Sequence, residues 1–185
     1  MDFFTFIIFL ITIIEDIFIL GGLIFTIIKP KYRIWPPPDR KSWQFWVSWI
    51  FTILSFLGTI LLSILDWNSF IFSHWLRFPI GVSIIIIGFL LAIWSVRTLS
   101  IHSTLGLKGK LITKGPYKYS RNPQYLADII IFTGLIILAN SYLTLITGIL
   151  GILWNFITPF TEEPWLKKQF KDEYDAYHEK VRRFI

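Results

Sequence analysis

The chain contains no cysteine, which excludes disulfides, thiolate catalysis, thiolate–zinc sites and iron–sulfur clusters. Histidine is scarce: His74, His102 and His178 are the only three, at no metal-ligand spacing, so no metal is expected. Charge is sparse too, with Asp, Glu, Lys and Arg making up 16% of the residues. There is no G-x-G-x-x-G, no Walker loop, no H-E-x-x-H and no G-x-S-x-G, so soluble nucleotide-binding folds are not supported. The N-terminus opens Met1-Asp2 with no basic region and no small-residue cleavage pattern. Its apolar stretch therefore reads as a retained first span rather than a signal peptide.

Apolar residues fill the remaining space. Of 185 residues, 54% are hydrophobic and 18% aromatic, and the mean hydropathy is +0.60. A soluble domain of this size has too little polar surface to cover that content, and the apolar residues come in long runs. The expectation is an all-α polytopic membrane bundle forming a single domain over 1–185. Three spans occupy 1–100, and a polar loop, a helical hairpin and a C-terminal amphipathic helix occupy 101–185. The spans are Phe3–Ile28, Trp43–Leu65, Pro79–Val96, Tyr125–Ala139 and Tyr142–Phe160. The fourth is short, so it tilts or crosses only partly. Pro36, Pro37 and Pro38 exclude a helix interior between the first two spans.

Basic residues set the orientation. Loop 29–42, loop 97–123 and the tail hold 17 of the 18 Lys and Arg residues, and loop 66–77 holds the other, Arg77. Five spans with the N-terminus outside place all three basic segments in the cytoplasm. The formal net charge of +6 is thus read as membrane-surface charge rather than as a nucleic-acid signal. Eight span glycines, among them Gly58, Gly81, Gly88, Gly134, Gly148 and Gly151, are read as helix-packing positions.

Against this background "GPYKYSRNPQY" (115–125) stands out. Asn122 suits an N-cap and Pro123 a first helical position, so a helix starts there with free N–H groups at the interface. Arg121 adds a planar anion donor, and Tyr117, Tyr119 and Tyr125 add flat faces and hydroxyls. Two readings stand side by side, an interfacial anchor and an anion seat. Asp128 follows Tyr125 on the same face, with Arg121 as its expected cation. In "TPFTEEPWLKKQF", Thr161 suits the cap of a tail helix beginning beyond Pro159. Glu162 and Glu163 then fall in its first turn, where they suit the helix dipole or bind hydroxyls, an ammonium or a sulfonium. Leu166, Phe170, Tyr174, Tyr177, Val181 and Phe184 fall on one helical stripe, able to cover a cofactor. Glu15 and Asp16, deep in the first span, need a protein or water partner that the sequence does not name.

The ordered set "KLITKGPYKYSRNPQYLADI", an apolar hairpin, Glu162-Glu163 and "EEPWLKKQFKDEYDAYHEKVRRFI" resembles the isoprenylcysteine carboxyl methyltransferase family. The related phospholipid N-methyltransferases share its layout. The resemblance covers roughly the last 80 residues; Asn122 stands where the family has His, and Ala127 where it has Gly. It implies a membrane methyltransferase using S-adenosyl-L-methionine at the cytoplasmic face. Tyr117, Asn122, Pro123, Tyr125, Glu162 and Glu163 would contact the cofactor, with Arg121 an anion contact for substrate or cofactor. The acceptor would be lipophilic, an isoprenylcysteine-type carboxylate or a lipid amine, with Arg121, Glu163 and Asp128 carrying catalysis. A carboxylate acceptor needs no base, whereas an amine needs one, a role open to Glu162, Glu163 or Asp128. Two alternatives stand: an NADPH-dependent membrane reductase of sterol-reductase type, whose family carries a similar Arg-x-Pro-x-Tyr element, and a non-enzymatic transporter or assembly protein.

Overall fold

The computed structural model describes residues 1–185, apart from the side chains of Ile101 and His102. The His102 imidazole, one of the three weighed above as metal ligands, therefore lies outside the described residues. Helices carry the whole fold: α1 (Phe3–Ile28), α2 (Trp43–Leu65), α3 (Arg77–Leu99), the short α4 (Ile101–Thr104), α5 (Pro123–Ala139), α6 (Tyr142–Phe170) and α7 (Asp172–Lys180). Four of them, α1, α2, α3 and α6, are long and apolar enough to cross a membrane. The 17 residues of α5 rise roughly 25 Å, short of a hydrocarbon core of about 30 Å.

Small residues set the packing. A Cβ at Gly81 would lie 2.7 Å from Leu138 Cβ and 2.9 Å from its backbone, and one at Gly134 would lie 3.0 Å from the Gly81 carbonyl. Thus α3 and α5 meet almost backbone to backbone. Gly58 likewise admits Thr12 of α1, and Gly148 and Gly151 admit Ile136 and Phe132 of α5. Gly21, by contrast, faces open space.

The acid pair in α1 now has partners. Asp16 is fully buried, and its Oδ1 accepts from Ser55 Oγ of α2 at 2.6 Å and Trp154 Nε1 of α6 at 3.2 Å. One carboxylate therefore ties three spans together, supplying in hydrocarbon the polar contacts that water cannot. Glu15 is buried beside it.

At the bundle end carrying the α5–α6 turn, polar residues stitch the turn to loop 66–76. Asn140 adopts a left-handed conformation (φ 48°), and its side chain bonds Asn68, the Phe70 carbonyl and the Phe72 N–H. Asp66 Oδ2 accepts from Ser69 Oγ and Ser141 Oγ, both at 2.6 Å, and from the Leu143 N–H at 3.0 Å.

The C-terminal region departs from the sequence expectation. No helix begins at Thr161. Instead α6 runs unbroken from Tyr142 to Phe170, through Pro159 and Pro164. Each proline removes one helical hydrogen bond, but burial on both sides of Pro159, at Trp154, Asn155, Thr158 and Thr161, holds the helix in line. Glu162 and Glu163 thus sit in the body of α6. The tail stripe is also broken. Lys171 takes φ 46°, α7 leaves in a new direction, and Val181 and Phe184 lie beyond its end. Their segment runs back along α6, where Phe184 stacks on Phe156 at 5.3 Å and the Arg183 guanidinium covers Phe160 at 3.9 Å.

Two outcomes follow. Gly81→Leu overpacks a backbone-tight seam and should lower stability by about 1–3 kcal/mol, seen as a lower unfolding midpoint in detergent. Burial pushes the Asp66 carboxyl up, but the donors from Ser141, Ser69 and Leu143 outweigh it and hold its pKa below 3.8. Its contribution is then full above that value and lost as pH falls through the lower folded pKa. The gap in unfolding midpoint between wild type and Asp66→Asn should therefore narrow as pH drops below 3.8.

Candidate active site

Loop 105–122, the first turns of α5, the last turns of α6 and α7 converge at the opposite end of the bundle. Glu163 holds them together. Its two oxygens accept from Arg121 Nη2 at 3.2 Å, Arg183 Nε at 3.0 Å and Nη2 at 2.9 Å, and Asn122 Nδ2 at 3.1 Å. The Arg121 and Glu163 side chains are each only 7% exposed, so this ion pair is desolvated. Arg121 spends its remaining donors on the carbonyls of His178 at 3.0 Å and Val181 at 2.7 Å. The Glu163 carboxylate raises the Arg183 pKa by hydrogen bonding. The tail backbone joins in: Arg121 N–H donates to the Arg182 carbonyl, and Ser120 Oγ to that of Arg183.

This corrects two expectations. Asn122 does occupy the N-cap position of α5, but its side chain makes no cap bond and serves Glu163 instead. Nor does Arg121 pair with Asp128; Glu163 takes the guanidinium, and no hydrogen bond or ion pair engages Asp128 among the described residues.

Two cavities flank the clamp. One, about 70 Å³, is lined by Tyr117, Arg121, Asn122, Glu162, Trp165 and Tyr174, and roofed by Leu107 and residues 109–112. The other, about 500 Å³, lies between α1, α2, α3, α5 and α6, and its walls are largely apolar, with the rings of Phe18, Phe51, Phe56, Trp35, Trp49 and Trp154 among them. Asp128 is the one carboxylate in its lining. Gln124 and Tyr125 line both. The Tyr125 hydroxyl donates to Glu162 and accepts from Trp35 Nε1 at 3.0 Å.

The structure therefore brings Tyr117, Asn122, Tyr125, Glu162 and Arg121 to the small cavity, the more polar of the two, and sets Asp128 apart, in the apolar one. Glu163 and Pro123 line neither; Glu163 is enclosed by its cations and Pro123 is buried at the start of α5. Burial, reinforced by the carboxylates of Glu162 for Tyr117 and Glu163 for Tyr174, pushes both phenols up, so both are neutral hydrogen-bond donors. Tyr174 Oη is buried and has no partner among the described residues.

Sequence reading missed Gln124, Trp35, Trp165 and Arg183. Gln124 lay inside the motif at one residue from Tyr125, which was signal enough. Trp35 sat in a loop read only as a helix break, and nothing local connects it to a residue 90 positions away.

A family model described as phospholipid methyltransferase matches residues 76–173, more than half of the chain. The chain belongs to that family. A relative described as phosphatidylethanolamine N-methyltransferase B, from Dictyostelium discoideum, is 31% identical over 100 residues, covering 50% of this chain and 50% of the relative. The chain thus matches about half the length of this curated relative. No solved structure matches it. The region shared with the phospholipid methyltransferases holds both Arg121–Tyr125 and Glu162–Glu163, and leaves out α1, α2, Trp35 and Arg183.

Removing the carboxylate from a buried pair leaves two guanidiniums uncompensated, a change that costs about 3–5 kcal/mol. Glu163→Gln should therefore lower the unfolding midpoint and free residues 181–185, read as faster tryptic cleavage at Arg182 and Arg183.

Proposed function

We propose that this protein transfers a methyl group from S-adenosylmethionine to the amine of a membrane lipid. The observation that carries the reading is the shared wall: a polar cavity and an aromatic cavity meet at Tyr125 and Gln124. A polar donor and a lipophilic acceptor require that juxtaposition, since each must leave its own solvent and still come into contact.

The donor fits the polar cavity in kind. Trp165, Tyr117 and Tyr174 offer aromatic faces, the Tyr174 hydroxyl has no partner among the described residues, and the Glu162 carboxylate suits ribose hydroxyls or a sulfonium. About 70 Å³ is far below the roughly 300 Å³ of a typical ligand pocket, so the roof of residues 107–112 must lift to admit it. When bound, the sulfonium supplies an electrophilic methyl group, its bond to sulfur breaking as a lone pair on the acceptor bonds to carbon.

The rest falls to the chain. The aromatic cavity takes the headgroup and the first part of a lipid chain, and α2 and α3 scarcely touch beside it, leaving an opening toward lipid. Asp128 is a carboxylate on an apolar wall with no partner of its own among the described residues. It attracts an ammonium, takes its proton and repels a carboxylate acceptor, which favours a lipid amine over an isoprenylcysteine-type acid. Glu163 and Arg121 act through the clamp, holding Asn122 and Tyr125 in place. The basic end of the bundle faces the cytoplasm and the N-terminus lies outside.

Two measurements test this. Titration calorimetry in detergent should show S-adenosylmethionine and S-adenosylhomocysteine binding; heat with NADPH alone, or with neither, would remove the basis of the proposal. Labelled methyl should pass to phosphatidylethanolamine in vesicles, and Asp128→Asn should cut kcat by about 10²-fold, with donor binding intact; an unchanged kcat removes Asp128 from the mechanism. Because the chain lacks cysteine, single-cysteine variants read its topology. A membrane-impermeant thiol reagent should label His74→Cys from outside the cell, and Glu179→Cys only after the membrane is opened.

A further inference from the structure

Trp35 stands outside the region shared with the phospholipid methyltransferases, in the proline-rich loop between α1 and α2. It nevertheless reaches the junction of the two cavities. Its indole lines the aromatic cavity, lies edge-on to Trp49 at 6.0 Å, and packs so tightly on Gly106 that a Cβ there would fall 2.8 Å from the ring. Gly106 has φ +74°, a conformation that itself favours glycine. The buried Pro36 and Pro37 that follow stiffen the loop behind the ring.

The hydrogen-bond directions follow from the groups. An indole N–H only donates, so at 3.0 Å from Trp35 Nε1 the Tyr125 oxygen must accept. The Tyr125 proton then has one direction, toward Glu162. A phenol so held keeps one lone pair free, in the wall common to both cavities.

We propose that Trp35 is a positioning residue for methyl transfer: its N–H locks the Tyr125 hydroxyl so that the free lone pair receives an N–H of the acceptor amine and aligns its nitrogen with the donor cavity. The incoming ammonium gives one of its three protons to Asp128, and the nitrogen lone pair so freed forms the new N–C bond as the sulfur–carbon bond breaks, that bond's electron pair staying on sulfur. Without Trp35 the phenol turns about its C–O bond, and the amine is bound but poorly aimed.

This rests on the methyl-transfer reading, so wild-type transfer to phosphatidylethanolamine vesicles is measured first; no transfer at all overturns that reading and this one with it. If transfer occurs, Trp35→Phe keeps an aromatic ring and loses only the donor. It should lower kcat about tenfold, the worth of one aligned hydrogen bond. The acceptor KM and the donor Kd should both stay within about twofold of wild type. Trp35→Phe combined with Tyr125→Phe should be no slower than Tyr125→Phe alone, because both act on one hydroxyl. Full kcat in Trp35→Phe, or multiplied losses in the double variant, would overturn the positioning role while leaving methyl transfer standing. Should Trp35→Phe fail to bind donor through misfolding, Trp35→Gln and Trp35→Met, similar in size, decide it. Gln restores an N–H and should be several-fold faster; equal rates overturn the proposal.

Discussion

One buried carboxylate organises the functional end of this protein. Glu163 receives two guanidiniums and an amide, and through them joins loop 115–122, the start of α5, the end of α6 and the C-terminal tail. Each of those segments alone would fray, since the tail beyond Lys180 is not helical and the loop has no sheet to join. A desolvated ion pair gains little net stability over an apolar contact. What it supplies is direction: bidentate hydrogen bonds fix the angle as well as the distance between α5 and α6. That angle sets where Tyr125 meets Glu162, and therefore where the two cavities touch.

The placement of charge follows the same logic along the whole bundle. Asp16 ties α1, α2 and α6 in the interior, Asp66 ties the hairpin turn at one end, and Glu163 ties the other. All three carboxylates have donors. Among the described residues, Asp128 alone of the acids of these walls has none, and it faces a cavity. A polar group without a protein partner inside a membrane bundle is expensive, and structural bonds cannot account for it.

Much of this was legible in the residues. Run length and proline positions located α1 and α2 at their observed ends, and Asn122-Pro123 located the start of α5. The motif and the Glu pair pointed to two segments that do converge. What failed had physical causes. Pro159 reads as a helix end because propensity charges it a hydrogen bond, yet packing around Trp154 and Thr161 outweighs that cost. The 3- and 4-residue spacing through Phe184 assumed one helix, but a single residue in an unusual conformation, Lys171, divides it. Arg121 was matched to Asp128 by proximity in sequence, whereas Glu163, 42 positions on, has the better geometry. Partners across such separations leave no periodic trace.

The N-terminal half does more than flank the region shared with the family. The region shared with the family ends short of both α1 and α2, yet Phe18, Phe51, Phe56 and Trp49 from those helices build the aromatic cavity, and Trp35 from their connecting loop reaches Tyr125. The polar cavity, by contrast, takes its lining from residues 99–177 alone. The larger cavity is thus built from both halves of the chain and the smaller one from the second half alone. The two stretches are joined along the whole bundle: Trp35 bonds Tyr125, Asp16 bonds Trp154, Asp66 bonds Ser141 and the Leu143 N–H, and Phe56 packs against Phe132 and edge-on to Trp154.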